Sequence, residues 1–387
     1  MNKINYNKHY IDQKDINSVI SSLKSDYLTQ GPKIKEFENA LKKKFKAKYC
    51  SLVANGTAAL HLTGIALGWG KNDVVLSSPI TFLAGPNSVI YSGATPNFAD
   101  IDETTYNIST FDLEKKIKKL KLLGKNIKAV IATDYAGQPC DWKTLRKLAD
   151  KYRLHLINDN CHAIGAKYFG NIGYASKYAD VAIHSYHAIK NITTGEGGAV
   201  FSNNKKIINK INSLKTHGLK KTKSKKYYNS AWPYNMVDLG FNYRITDFQS
   251  ALGLSQLKKL DKFIKRRNKI AKIYYKGLEN IDNLILPRVK LNILHAYHLF
   301  PVQINFKKIK ISKEKLLKTF RKYNINLQIH YFPIHLQPYY TKKFKFKQNS
   351  FPKAENFYRS TVSLPIFYTL KNWQVKKIIR LLKKLIR

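Results

Sequence analysis

Hydrophobic positions in the 387-residue chain change their period along its length, and the changes divide it. Over Ile34 to Phe45 apolar residues recur at three- and four-residue intervals, which predicts an amphipathic helix. Tyr49 to Val53 reads as a short strand, and Ala54-Asn55-Gly56-Thr57-Ala58 then opens an apolar helix through Leu67. Further short strands, bounded by turn residues, are predicted at Asp73 to Ser77, Thr95 to Phe98, Ala129 to Thr133, His155 to Asn158, Val181 to His184 and Ala199 to Ser202. Helical patterns such as Trp142 to Tyr152 fall between several of them. Strands alternating with helices predict a layered α/β domain with a mostly parallel sheet. Ligands in such sheets gather at the carboxyl ends of strands.

From Asp247 the pattern changes. A long helical run, Asp247 to Leu278, is followed by strand-like Tyr297 to Ile304 and helix-like Lys313 to Tyr323. A strand at Asn326 to His330 and a final helix at Leu370 to Ile386 close the chain. This predicts a large domain over 1–250, with an N-terminal arm at 1–33, and a smaller α+β domain over 251–387. There is no internal repeat or low-complexity linker. The Lys-rich stretch Lys220 to Tyr228 reads as an exposed loop.

Composition adds an anomaly. Hydrophobic residues at 44% and aromatics at 12% exclude a disordered chain, yet Lys+Arg 69 against Asp+Glu 24 leaves a net charge of +45. A nucleic-acid-binding protein is one reading of that charge, and it entails salt-sensitive binding to a polyanion. Only ten of the basic residues are Arg, the residue suited to bidentate base and phosphate recognition. The lysines are dispersed over segments with apolar residues at helical spacing, as in Leu113, Ile117 and Leu120. They read as solvated helix faces, with no specific nucleic-acid partner. The segment Met1 to Lys14 carries no signal-peptide core, and no run of eighteen apolar residues occurs, so no membrane association is expected. Cys50, Cys140 and Cys161 form neither a disulfide framework nor a metal cluster. A cytoplasmic location is the expectation.

Four segments carry the candidate chemistry. Asn55-Gly56-Thr57-Ala58-Ala59 forms a strand-to-helix turn whose free N–H groups suit a phosphate, although many α/β proteins have such a turn with no ligand. Ile157-Asn158-Asp159-Asn160-Cys161-His162-Ala163 places Asp159 at the end of a buried strand, as a partner for a cation or as a helix cap. Ser185-Tyr186-His187-Ala188-Ile189-Lys190 continues through Asn191-Ile192-Thr193-Thr194 to the Gly-rich turn Gly195-Glu196-Gly197-Gly198. A lysine in that setting loses its proton readily and condenses with a carbonyl. Gly240-Phe241-Asn242-Tyr243-Arg244-Ile245-Thr246-Asp247 enters a long helix. A phosphate cradle, a deep carboxylate and a Schiff-base lysine, in that order, suggest pyridoxal 5′-phosphate.

The run Ser185 to Gly198 resembles the signature of the DegT/DnrJ/EryC1 family of nucleotide-sugar aminotransferases, a fold-type I pyridoxal-phosphate group. The likeness extends from Leu28-Thr29-Gln30-Gly31 to Ser363-Leu364-Pro365. It implies that Lys190 holds the cofactor and shuttles protons, that Asp159 pairs with the pyridinium nitrogen, and that Thr57, Ala58 and Ser185 cradle the phosphate. Phe82 would stack on the ring, and His162, where Gln is also common, would lie next to the phenolic oxygen. Asn242 would reach the cofactor phosphate of the other subunit of a homodimer. Tyr6, Thr29, Gln30, His187, Asn242, Gln328, His330 and Tyr331 would line the sugar-nucleotide site. Tyr135-Ala136-Gly137, His187-Ala188-Ile189-Lys190 and Gln328-Ile329-His330-Tyr331-Phe332-Pro333-Ile334 resemble the branch that aminates C4 of a UDP-linked 4-keto-6-deoxy-N-acetylhexosamine for pseudaminic acid, with L-glutamate as donor. Siblings acting on other UDP- or dTDP-keto sugars, at C4 or C3, share most of these features. Asn158, Asn160 and Cys161 depart from the residues more usual around the Asp. Lys190 excludes a related branch that carries His there and dehydrates its sugar.

Overall fold

Seven strands form the central sheet: β1 Tyr49–Val53, β2 Asp73–Ser77, β3 Thr95–Phe98, β4 Asn126–Thr133, β5 His155–Asp159, β6 Val181–Ser185 and β7 Gly198–Ser202. The computed structural model describes residues 3–221 and 234–386. The spatial order is β1-β7-β6-β5-β4-β2-β3. Strands β2 to β6 pair in parallel, and β7 alone runs antiparallel to both neighbours. Every residue of β2, β6 and β7 is buried, which explains their continuous apolar character. Alternate residues serve opposite faces: Leu76, Val130, Leu156 and Ala182 join one apolar cluster, and Val75, Ile131, Ile157 and Ile183 the other. The helix Pro32–Phe45 covers the first face through Phe37, Leu41 and Phe45. Helices Gly56–Ala66 and Lys205–Leu214 cover the second through Leu60, Leu62, Ile208 and Ile211.

This topology gathers chemistry at one edge. β5 ends on Asp159 and β6 on Ser185, while β1 ends just before Asn55-Gly56-Thr57. Because β7 is reversed, its first residue, Gly198, lies against that same turn. A Cβ added at Gly198 would stand 2.4 Å from the Asn55 carbonyl oxygen, so only glycine lets strand and turn approach this closely.

A second sheet, β8 Leu284–Ile285, β9 Phe300–Ile304 and β10 Thr361–Leu364, is antiparallel. Helices Leu260–Leu278, Lys313–Lys322 and Asn372–Ile386 pack on it around Tyr274, Phe300, Phe320, Val362 and Leu382. The last helix buries Val375, Ile378, Ile379 and Leu382 and exposes Lys376, Arg380 and Lys384, a solvated basic face of the kind its spacing implies. Ile4 pairs with Ile325 and joins this second core, so the N-terminal segment is tied to the C-terminal part of the chain.

Two expectations need amendment. The run Asp247 to Leu278 is two helices, Asp247–Leu257 and Leu260–Leu278. At the break Lys259 reaches Asp12 at 2.5 Å and Asp15 at 2.6 Å, an anchoring that the apolar period does not register. Asn326 to His330 is no strand: it makes one isolated bridge, Gln328 to Ser363, and then leaves the sheet. The loop at Lys220 to Tyr228 falls, beyond Lys221, outside the described residues. No helix among the described residues is long and apolar enough to cross a membrane.

Candidate active site

The strand ends open into a cavity of about 430 Å³. Lys190 sits on its wall, in a turn whose amide donates to the His187 carbonyl at 2.9 Å. Burial pulls the Lys190 ammonium below the usual lysine range, while Cys161 and Asp159 oppose that shift. The side chain is thus biased toward the free amine, the form that attacks a carbonyl.

Asp159 lies across the same cavity and is 6% exposed. Its Oδ1 accepts the Cys161 amide at 3.2 Å, and its Oδ2 accepts the Thr133 hydroxyl at 3.4 Å. Thr133 in turn shares a hydrogen bond of 3.0 Å with Thr81. Among the described residues only neutral groups donate to this buried carboxylate, so it retains acceptor capacity for a cationic N–H. Thr57 stands at the start of the helix Gly56–Ala66, where the first backbone N–H groups have no intrahelical partner. Asn55 caps that helix by accepting the Ala58 amide at 2.8 Å. Ser185 faces the turn so closely that a Cβ at Gly56 would meet the Ser185 Cβ at 2.9 Å.

The opposite wall is aromatic. Tyr331 shares a hydrogen bond of 3.1 Å with His162 Nε2, and the His162 ring lies 4.4 Å from that of His298. Burial holds both imidazoles well below the usual histidine range. His330, bonded to the Ser363 hydroxyl at 2.9 Å, is pulled down to about 3 by burial and then by Lys190. These three histidines are therefore neutral near pH 7 and place no cation beside the lysine. Phe82 stands half-exposed, 6.0 Å from the Tyr331 ring.

Ten residues expected at the site meet in this cavity: Tyr6, Thr57, Phe82, Asp159, His162, Ser185, His187, Lys190, His330 and Tyr331. Five do not. The Ala58 amide is taken by the Asn55 cap. Thr29 pairs with Thr246, and Asn242 with Thr216. Gln30 lines a separate cavity with Lys35, Lys215 and Arg244, and Gln328 lines a groove with Lys3 and Arg321. The cavity also contains His298 and Glu196, which the sequence did not single out. His298 is hidden inside a strand-like run. Glu196, 3.8 Å from His187, was legible only as part of the Gly-rich turn.

The residues present fit pyridoxal phosphate. The glycine-tight cradle of Gly56, Thr57 and Ser185 suits the phosphate, Asp159 the pyridine nitrogen and Lys190 the aldehyde. The buried His162 Nδ1, without a partner among the described residues, is left for a polar ligand atom.

Comparison with known proteins leads to the same chemistry. The profile of the DegT/DnrJ/EryC1/StrS aminotransferase family matches residues 9–383. The spore coat polysaccharide biosynthesis protein SpsC of Bacillus subtilis is 35% identical over 388 residues, covering 99% of this chain and 97% of that protein. UDP-4-amino-4,6-dideoxy-N-acetyl-β-L-altrosamine transaminase of Campylobacter jejuni is 35% identical over 362 residues, 94% of this chain and 92% of that one. Among solved structures, Helicobacter pylori PseC, an aminotransferase of pseudaminic acid biosynthesis, superposes with a TM-score of 0.87 at 30% identity, covering 99% of both chains. Spr1654 from Streptococcus pneumoniae, assigned as a sugar aminotransferase and solved in its PLP form, gives a TM-score of 0.89 at 25% identity over 100% of both chains. It is also solved in its PMP form.

Proposed function

The chain belongs to the DegT/DnrJ/EryC1/StrS aminotransferase family and uses pyridoxal 5′-phosphate, and from that premise we propose which sugar it aminates. The reaction is transfer of an amino group from L-glutamate to C4 of a UDP-linked 4-keto-6-deoxy-N-acetylhexosamine, the step that belongs to pseudaminic acid synthesis. The observation that carries it is Lys190 and Asp159 facing one cavity closed by Tyr6, His330 and Tyr331, in a chain 35% identical to an altrosamine transaminase.

When bound, the cofactor supplies a carbonyl that condenses with amines and a ring that accepts electron density. The protein's residues do the rest. Lys190 Nζ, whose pKa burial lowers, takes the α-proton of L-glutamate and later delivers a proton to C4 of the sugar. Asp159 holds the proton of the ring nitrogen. Ser185 and the N–H groups of the Thr57 turn would bind the phosphate, and Phe82 and Tyr331 would cover the ring and limit water. Tyr6, His187, His330 and Tyr331 contact the sugar nucleotide. The enzyme acts as a homodimer, which brings Thr29, Gln30 and Asn242 toward the site of the neighbouring copy. Exposed Tyr27, Leu28, Tyr91 and Leu239 supply apolar surface for that association. Its substrates suit a cytoplasmic enzyme.

A sibling specificity is the second reading, supported by SpsC, which is as similar to this chain as the altrosamine transaminase is. The test offers the enzyme UDP- and dTDP-linked keto sugars with L-glutamate and identifies the aminated carbon by NMR. The UDP-4-keto-6-deoxy-N-acetylhexosamine is expected to be aminated at C4 and preferred by at least about tenfold in kcat/KM. Preference for a dTDP sugar, or amination at C3, overturns this assignment in favour of the sibling.

A further inference from the structure

Arg267 is a buried cation without an anion. It projects from the helix Leu260–Leu278, is 3% exposed, and no carboxylate pairs with it among the described residues. Burial pulls it down to about 9, still high enough to keep its charge near neutral pH. A charge so placed is costly unless its donors are well used. Nη1 donates to the Tyr297 and Ile366 carbonyls, both at 2.8 Å, and Nη2 donates to Asn7 Oδ1 at 3.3 Å. Asn7, itself 6% exposed, turns its other end to the active site: Nδ2 donates to the Ile189 carbonyl at 3.0 Å. That carbonyl belongs to the residue immediately before Lys190.

Asn7 thus links a guanidinium to the turn that carries the lysine. The adjacent residue, Tyr6, lines the cavity, and its carbonyl accepts the Ile366 amide at 3.1 Å. Residues 6 and 7 are therefore fixed from the C-terminal part of the chain while one faces substrate and the other grips the lysine turn. On the far side of Lys190, Asn191 Nδ2 donates to the Ile164 carbonyl at 3.0 Å. The turn is held at both ends by asparagines, one its own and one from the N-terminal segment.

We propose that Asn7 is a positioning residue for Lys190, fixing its turn through the Ile189 carbonyl, and that Arg267 orients Asn7 for this task. The inference rests on Lys190 being the cofactor lysine, but the contact itself belongs to the protein and is measurable without cofactor. Asn7→Asp separates positioning from structure. The variant keeps an oxygen toward Arg267, gives that cation the carboxylate it lacks, and replaces the donor to Ile189 with an oxygen that the Ile189 carbonyl repels.

The expected result is a melting temperature at or above wild type. Amide exchange over residues 187–194 in the cofactor-free protein should nevertheless speed up by about tenfold, the scale of one lost hydrogen bond. In the loaded enzyme kcat should fall by about tenfold, with KM for L-glutamate within about twofold of wild type. Arg267→Lys, which keeps charge but not the two-pronged geometry, should move exchange in the same direction by a smaller factor. A stable Asn7→Asp protein with wild-type exchange overturns the proposal, as does a lowered melting temperature with exchange raised uniformly across the chain. A wild type that binds no cofactor refutes the reading of Lys190, while the exchange comparison still decides the grip.

Discussion

Acidification should unfold this protein through its buried histidines. His184, His295 and His330 are 1%, 4% and 6% exposed, and burial pulls each down to about 3. In the unfolded chain each returns to about 6.5. A group with a depressed folded pKa gives stability that is complete above the unfolded pKa and is lost as pH falls toward the folded one. At pH 5 the folded protein still leaves these rings neutral, so the loss is set by the unfolded value alone and comes to about 2 kcal/mol for each ring. Asp134, pushed up to about 6 by burial, works in the opposite sense and returns about 1 kcal/mol over the same interval. For these four groups the net loss between pH 7.5 and pH 5 is about 5 kcal/mol, a large share of the stability of an ordinary domain, and the buried His162 and His298 add to it in the same sense. Urea unfolding at the two pH values, with calorimetric proton counting, checks this. The midpoint should fall sharply at pH 5, and unfolding should take up at least about two protons. Equal midpoints with no proton uptake refute the claim that these rings are buried and neutral.

Two substitutions probe the site more locally. Gly198→Ala forces a Cβ to within 2.4 Å of the Asn55 carbonyl oxygen, a backbone atom that cannot swing away. It should cost about 1–3 kcal/mol in thermal or urea unfolding and weaken cofactor binding, read by absorbance titration, by about tenfold or more. Asp159→Asn keeps the shape of the site but leaves no carboxylate for the ring nitrogen. The loaded variant should remain coloured while kcat falls by about 10² or more, and near-normal turnover counts against the role given to Asp159.

Much of the sheet was legible in the sequence because its strands are buried on both faces and read as short apolar runs between turn residues. The ends of those runs located Asp159, Ser185 and the Thr57 turn. Lys190 could be picked out by its setting between a strand and the Gly-rich turn Gly195 to Gly198. Residues held by long-range contacts could not be found this way. His330 closes a run with strand character and Tyr331 follows it, and what sends them into the cavity is a departure from the small sheet after Gln328. His298 sits in another apolar run, and only three-dimensional packing sets its ring against His162. Asn7 and Arg267 lie 260 residues apart, so no local pattern signals their contact. The charge excess was legible in outline, since the Lys376 and Lys384 positions alternate with buried Val375 and Leu382 on one amphipathic helix.

The account stands on one lysine among many. The most direct measurement traps the bound cofactor by borohydride reduction, digests the protein, and locates the pyridoxyl group by mass spectrometry. The account predicts modification at Lys190, and a Lys190→Ala protein that folds but yields no modified peptide. Stoichiometric modification at a different lysine, or a wild type that takes up no cofactor, contradicts it.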